Sequence, residues 1–462
     1  MTKRKPSFLL SSLSILALAA AMFTATVIYG AEPHLPLIVG AAAAAAVATY
    51  CGYKWEEITE SMIAGISQSL ESMLILLCIG LLVATWILSG TVPALIYYGL
   101  KLINPRAFLV TAYLICSAIS MVMGAWGAAG SIGLAFMGIG QAMGISPAMI
   151  AGVIVSGVYV GDKLSPFSDA TNLAASVTGV NTFEMIKDLF GLKSMVLIAA
   201  GAAYTVLGFT LPIENADSIR ASIDPLLADL AANFNISPLA LIPLAVMILC
   251  VFIKVPSIPA LLCGAAVACV QALLIQDASL GDIFALGYEG YISTTGNELL
   301  DGLLSAGGIL AMMETISVIL IAMGFGGIMQ GSGQMEALVK PIAAKIRAAG
   351  GMIALTIVTC MGVNIVLPEQ YLAIMVPGQM YSAEYDRRGI DRLTLGNVLG
   401  AGASVTSPLV PWNTCGMYMS SILSVGVVEY LPFAFFNYLM PLFFLVYFFI
   451  VGGKRFPAQE KA

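Results

Sequence analysis

Two acids, a lysine and a proline stand together in an otherwise apolar stretch: Gly157–Asn172 reads Gly-Val-Tyr-Val-Gly-Asp-Lys-Leu-Ser-Pro-Phe-Ser-Asp-Ala-Thr-Asn. Gly161 frees the backbone, and Pro166 lacks an amide hydrogen and blocks a helix from continuing. Carbonyls released at such a break can coordinate a cation. Asp162, Ser165, Ser168, Asp169, Thr171 and Asn172 add side-chain oxygens, the ligand type that hard cations take. Extending that rule to sodium makes Asp162 and Asp169 the expected ligands of a transported Na+. Burial disfavours a charged carboxylate and a neighbouring cation favours it, so a buried Asp holds either a proton or a sodium ion. Lys163 is placed to pair with Asp162 or Asp169 and to free the carboxylate when sodium arrives. A structural Asp–Lys pair is the alternative. Charged groups beside apolar helix halves are costly and are retained for a function.

A second constellation lies at Ser404–Asn413, Ser-Val-Thr-Ser-Pro-Leu-Val-Pro-Trp-Asn. Its two prolines force a break, and Ser407, Asn413 and Thr414 offer neutral oxygens, while Trp412 is expected to pack the structure. Asn364 and Glu369 flank another interruption, Pro368-Glu369-Gln370. Glu369 is the next intramembrane carboxylate to consider for ion or proton binding, with a helix cap as the alternative. Glu71 and Glu314 are expected to begin helices, where negative charge suits the N-terminal dipole.

The elements that must position these residues are written for lipid. Of 462 residues, 59% are hydrophobic and 10% charged, against roughly a quarter charged in soluble domains. Stretches long enough to cross a bilayer, about 20 residues, occur at Phe8–Tyr29, Leu35–Cys51, Glu71–Gly90, Lys193–Leu211, Ser237–Lys254, Ser257–Gln276, Glu314–Gly331 and Leu431–Val451. The first follows Lys3, Arg4 and Lys5 and is too long for a usual signal-peptide core, so it is expected to be a retained helix. The eight cysteines form no CxxC pair and read as small apolar residues rather than disulfide or zinc ligands. The single histidine, His34, reads as a surface-loop residue.

Basic residues crowd the cytoplasmic side of membrane proteins. With the N-terminus inside, only Lys101, Arg106 and Arg220 of the 20 basic residues fall outside, and Lys163 stays in the membrane. The acidic stretches Glu214–Asp229 and Asp277–Asp301 then read as external loops. The expected location is a bacterial inner membrane, with both termini cytoplasmic.

The chain also resembles itself. Glu71 and Ser89-Gly90 correspond to Glu314 and Ser332-Gly333, Cys116 and Ser120 to Cys360 and Asn364, and Ser165-Pro166 to Ser407-Pro408, at offsets of 243, 244 and 242. By the charge distribution, Glu71 starts from the inside and Glu314 from the outside, so the two units are inverted. Inverted repeats are typical of secondary transporters, with the site near the midplane. Each unit reads as a spanning helix, an interfacial arm (Ala94–Ile103; Glu336–Arg347), a re-entrant hairpin (interrupted at Gly124–Gly127 or Pro368–Gln370), an interrupted helix and a final span. The fold class is an all-α polytopic membrane protein with two inverted-topology repeats, re-entrant hairpins, interrupted helices and scaffold helices. The expected divisions are an N-terminal scaffold (1–65), the first repeat (66–212), linking segments (213–306), the second repeat (307–452) and a cytoplasmic tail (453–462). No GxxxxGK[ST], HExxH or nucleophile elbow occurs, so ATP-driven pumping and hydrolysis have no support, and neither a cofactor nor a nucleic acid is expected.

The string Gly161–Asp169, with Thr171-Asn172, resembles the signature of the NhaC-type sodium/proton antiporters, of the ion transporter superfamily. The resemblance continues through Ser407–Gly416, Gly426-Val427 and Tyr430, and covers roughly residues 50–450. At Glu369-Gln370-Tyr371 the family has Asp more often than Glu. The resemblance implies paired hairpins, a scaffold that often forms a homodimer, elevator-like motion, sodium export and proton entry. Some members of that family exchange malate for lactate with coupled ions. A small carboxylate would need a fixed positive partner, and Lys163 is the base placed to provide one. The leading expectation is a Na+/H+ antiporter that also takes Li+. The alternative is a cation-coupled organic-anion exchanger on the same fold.

Overall fold

The computed structural model describes residues 4–29, 31–67, 69–102, 104–166, 168–211, 216–253, 255–343, 348–366 and 369–455. Lys3, Ile103, Phe167, Glu214, Lys254, Arg347 and Pro368, all named above, lie outside them, and nothing is described of the Glu71 side chain. Among the described residues the chain is helical throughout, with one isolated β-bridge between Tyr291 and Ala306. Six helices are long and apolar enough to cross a membrane, and four bent helix pairs raise the number of possible spans to ten. This is a polytopic membrane architecture.

The expected spans are present with shifted ends. The N-terminal run forms Phe8–Met22 and continues as a π-helical turn, Phe23–Ile28. The helix expected from Glu314 starts earlier, at Ile309, and Glu314 lies past its first turn rather than at its N-terminus. The reason is local: Gly307 and Gly308 both have φ +83°, a conformation open to glycine, and the Gly308 amide donates to the Gly80 carbonyl. His34 is also corrected, because it opens the His34–Tyr50 helix and its Nε2 lies 2.8 Å from Ser317 Oγ. The acidic linking segments are largely helical, at Ala216–Asn233, Leu280–Glu289 and Glu298–Leu304.

The two hairpins are built on different glue. In the first, Phe108–Ala128 breaks at Gly124 (φ 74°, ψ 169°) and the chain returns through Leu134–Ala142. Phe108 closes the base, with its ring 6.0 Å from Phe136 and its edge against Gly140. In the second, Ala349–Val366 runs against Gln370–Arg387, stitched by Thr356–Tyr385 and Thr359–Tyr381 hydroxyl pairs, each at 2.9 Å.

Both hairpins dock on the following broken helix in the same way. A methyl at Gly157 would fall 2.8 Å from Cys116 Cβ, and one at Gly402 would fall 3.1 Å from Cys360 Cβ. Ser120 donates to the Val158 carbonyl, and Asn364 donates to the Ala403 carbonyl. The Met121 carbonyl accepts from Ser165, and the Ile365 carbonyl accepts from the Trp412 indole. The packing role expected for Trp412 is therefore met. On the hairpin side these pairs keep the offset of 244 read from the sequence (Cys116 and Cys360, Ser120 and Asn364), whereas on the broken-helix side Ser165 takes the place of Trp412 rather than of Ser407.

Candidate functional site

The Pro147–Leu164 helix carries the first constellation. Proline suits its first turn, its apolar middle is wholly buried, and it stops at Ser165, held extended (φ −92°, ψ 128°) ahead of Pro166. The chain re-enters a helix at Asp169–Thr178, capped by Ser168, whose Oγ accepts from the Thr171 amide at 3.1 Å. Asp162 and Lys163 sit on the last turn before the break, 7% and 6% exposed. Lys163 Nζ lies 3.2 Å from Asp162 Oδ2. A buried pair of this kind is no stability device by default, since desolvation can exceed the attraction.

The neutral oxygens around the break are used mainly to shape it. Thr171 Oγ1 donates to the Asp162 carbonyl at 3.0 Å. Asn172 Nδ2 donates to the Pro166 and Ser168 carbonyls at 2.8 and 3.0 Å, and its side chain is exposed. Asp169 is exposed at the start of its helix, so the two acids have different environments.

In the second unit the broken helix runs through Arg392–Leu399, a π turn Gly400–Ser404 and a 3-10 turn Ser407–Leu409, and restarts at Thr414–Leu423. Asn413 caps the restart by accepting from the Cys415 amide at 3.0 Å, and its Nδ2 donates to the Asn364 backbone and side-chain oxygens, both at 3.2 Å. Asn364 and Asn413 thus staple hairpin to break. Ser407 Oγ donates to the Ser404 carbonyl at 2.7 Å. Glu369 is the extended N-cap of Gln370–Arg387 (φ −140°, ψ 125°), its Oε1 accepting from the Tyr371 amide at 3.3 Å. It is a cap, and it is also 1% exposed, with the Thr414 hydroxyl facing its carboxyl.

The units meet at side chains that motif reading passed over. Cys415, fully buried, lies among Glu369, Ser407, Tyr159 and Trp126. Tyr159 stands beside Cys415 and Ser407 and within electrostatic reach of Asp162. Tyr371 faces Asp169, Glu369, Cys415 and Asp162. Trp126, at the first hairpin's tip, stacks on Tyr418 at 4.6 Å. Tyr159 had a signal, being on the same helical face as Asp162 and Lys163. Cys415 had only its place beside Asn413-Thr414. Asp162, Lys163, Ser407, Thr414 and Glu369 converge here, while Asn172 and the Asn364–Asn413 pair stay at the supporting edge.

The sequence model of the Na+/H+ antiporter family matches residues 157–452, which takes in both breaks and the second hairpin. This chain belongs to that family. A Na+/H+ antiporter NhaC of Alkalihalophilus pseudofirmus is 34% identical over 96% of each chain. A malate-2H+/Na+-lactate antiporter of Bacillus subtilis is 34% identical, over 84% of this chain and 82% of its own. An arginine/ornithine antiporter, ArcD, of Halobacterium salinarum is 31% identical over 96% of this chain and 92% of its own. The family resemblance read from the motifs is borne out.

Proposed function

We propose that this protein exchanges Na+, and also Li+, for H+ across a bacterial inner membrane as a secondary antiporter. The observation that carries the reading is the buried Asp162–Lys163 pair at a helix break, with Tyr371 of the second unit lying within electrostatic reach of both Asp162 and Glu369. Sodium is the transported substrate, with Asp162 its charged ligand. When sodium arrives, Lys163 gives up the carboxylate, and protons compete for the same acid cluster. Family membership and the NhaC relative support this exchange.

The two units, 66–212 and 307–452, are inverted in the membrane, and the site moves between its faces by an elevator-like displacement against the scaffold segments 1–65 and 213–306. Both termini are cytoplasmic, as the distribution of basic residues directs, and a homodimer forms through the scaffold. A second reading, coupled exchange of a small organic anion, is favoured by the malate–lactate relative at equal identity and by Lys163 as the fixed cation.

Reconstitution separates them. In proteoliposomes holding a pH gradient and no organic solute, Na+ or Li+ addition collapses the gradient. A response appearing only after malate or lactate is added overturns the simple antiporter and supports the second reading.

A further inference from the structure

Four buried polar atoms at the junction of the units make no well-formed hydrogen bond to the described residues: Trp126 Nε1, Tyr159 OH, Lys163 Nζ and Glu369 Oε2. Buried polar groups are nearly always satisfied, and each exception calls for an explanation. These four come from the first hairpin tip, the first broken helix and the second hairpin tip, and three of them surround Cys415. Their side chains define one polar seam running from Asp162–Lys163 through Tyr159 and Cys415 to Glu369.

The two ends of the seam differ in what holds the acid. Asp162 has an ammonium 3.2 Å away, a paired charge that sodium can take over. Glu369 has no ion pair among the described residues. It has the Tyr371 amide on Oε1, the Gln370 amide and the Thr414 hydroxyl facing its carboxyl, and no well-formed hydrogen bond on Oε2. With no cation beside it among the described residues, this buried carboxyl can take up a proton without breaking an ion pair. Its negative form is supported by two helix N-termini, those of Gln370–Arg387 and Thr414–Leu423. A carboxyl with both forms provided for is suited to gaining a proton on one side and losing it on the other.

We infer that Glu369 is the proton carrier of the exchange and Asp162 the sodium ligand, with Tyr159 and Cys415 as the positioning residues that couple them. The inference rests on the sodium–proton reading and assigns its two cargoes to different carboxyls. In the step, the Glu369 O–H bond forms with a proton from water on one face and breaks to water on the other, with no redox change. The titratable or charged groups around Glu369 are Tyr371 on its own helix, Cys415 on Thr414–Leu423, Asp169 and Asp162 across Tyr371, and Tyr159 across Cys415, with Lys163 following as the partner of Asp162.

The test measures two transport modes of the full-length protein in proteoliposomes: radioactive Na+ exchanged for Na+ at equal pH, and Na+ uptake driven by a pH gradient. Glu369→Gln is expected to keep the first and lose the second. Glu369→Asp is expected to restore the second with a displaced pH profile, and Tyr159→Phe to slow only the second. Asp162→Asn loses both. Gradient-driven uptake persisting in Glu369→Gln overturns the inference. So does equal loss of both modes in Glu369→Asp protein that elutes as folded. A wild-type protein showing Na+/Na+ exchange but no gradient-driven uptake refutes the sodium–proton reading itself, a result distinct from either outcome in the variants.

Discussion

The break at Ser165–Ser168 and the break at Val405–Asn413 are the same backbone device carrying opposite chemistry. Both interrupt an apolar helix, both restart under a capping side chain, and both are tied to the carbonyls of a neighbouring hairpin tip. The first keeps an acid and a base on the turn before the break. The second has no charged residue there, and its acid sits on the hairpin tip instead, at Glu369. The repeat supplies geometry, while each unit places its charge differently.

The largest effect separating the two breaks is expected at the charge. Asp162→Asn should abolish sodium transport while leaving elution as a folded protein unchanged, whereas Ser407→Ala should leave measurable transport. Transport assays in proteoliposomes decide this.

The staples come next. Asn364→Ala removes the hydrogen bonds of its side chain to the Ala403 carbonyl, the Thr406 hydroxyl and the Asn413 side-chain amide, at about 1 kcal/mol for each bond. Its first-unit counterpart, Ser120→Ala, exposes only the Val158 carbonyl to that cost. Thermal unfolding should therefore rank Asn364→Ala as the more destabilised, and the reverse order would break the equivalence drawn between the units.

A smaller contrast lies in the glycine contacts. A methyl at Gly157 would fall 2.7 Å from the Tyr113 carbonyl oxygen, and one at Gly402 would fall 3.0 Å from Ile357 Cα. Overpacking of this kind costs about 1–3 kcal/mol, and Gly157→Ala should sit at the higher end.

The smallest effect is expected away from both breaks. Asp301 accepts from the Thr295 hydroxyl, the Thr295 amide, the Ser293 hydroxyl and the Gly296 amide, which hold its carboxyl below the usual Asp range. The stability it contributes is present above the ordinary carboxylate range and is lost as pH falls through its depressed value. Asp301→Asn should remove that acid-side dependence in thermal unfolding and leave the transport differences between the breaks intact.

Much of this was legible in the sequence, because lipid imposes simple rules. Long apolar runs, the glycines and prolines at Gly124, Pro166 and Pro408, and the near-constant spacing of Ser120 and Asn364 all survive in the structure. The start of the Ile309–Gly331 helix was not legible, since Gly307-Gly308 packs against a distant partner at Gly80. Nor was the seam at Tyr159, Cys415 and Tyr371. These residue types are usually core in a membrane chain, and only tertiary contact shows that they join acids from two units. The exposure of Asp169 beside the burial of Asp162 is likewise set by the helix restart, which alternating residue types do not encode.

The exchange depends on sodium binding at Asp162. That binding is tested most directly by radioactive Na+ binding to the purified wild-type protein and to Asp162→Asn, measured by scintillation proximity across pH. Saturable binding to the wild type that weakens as pH falls, and no binding to the variant, is the expected result. Equal binding by both proteins would contradict it.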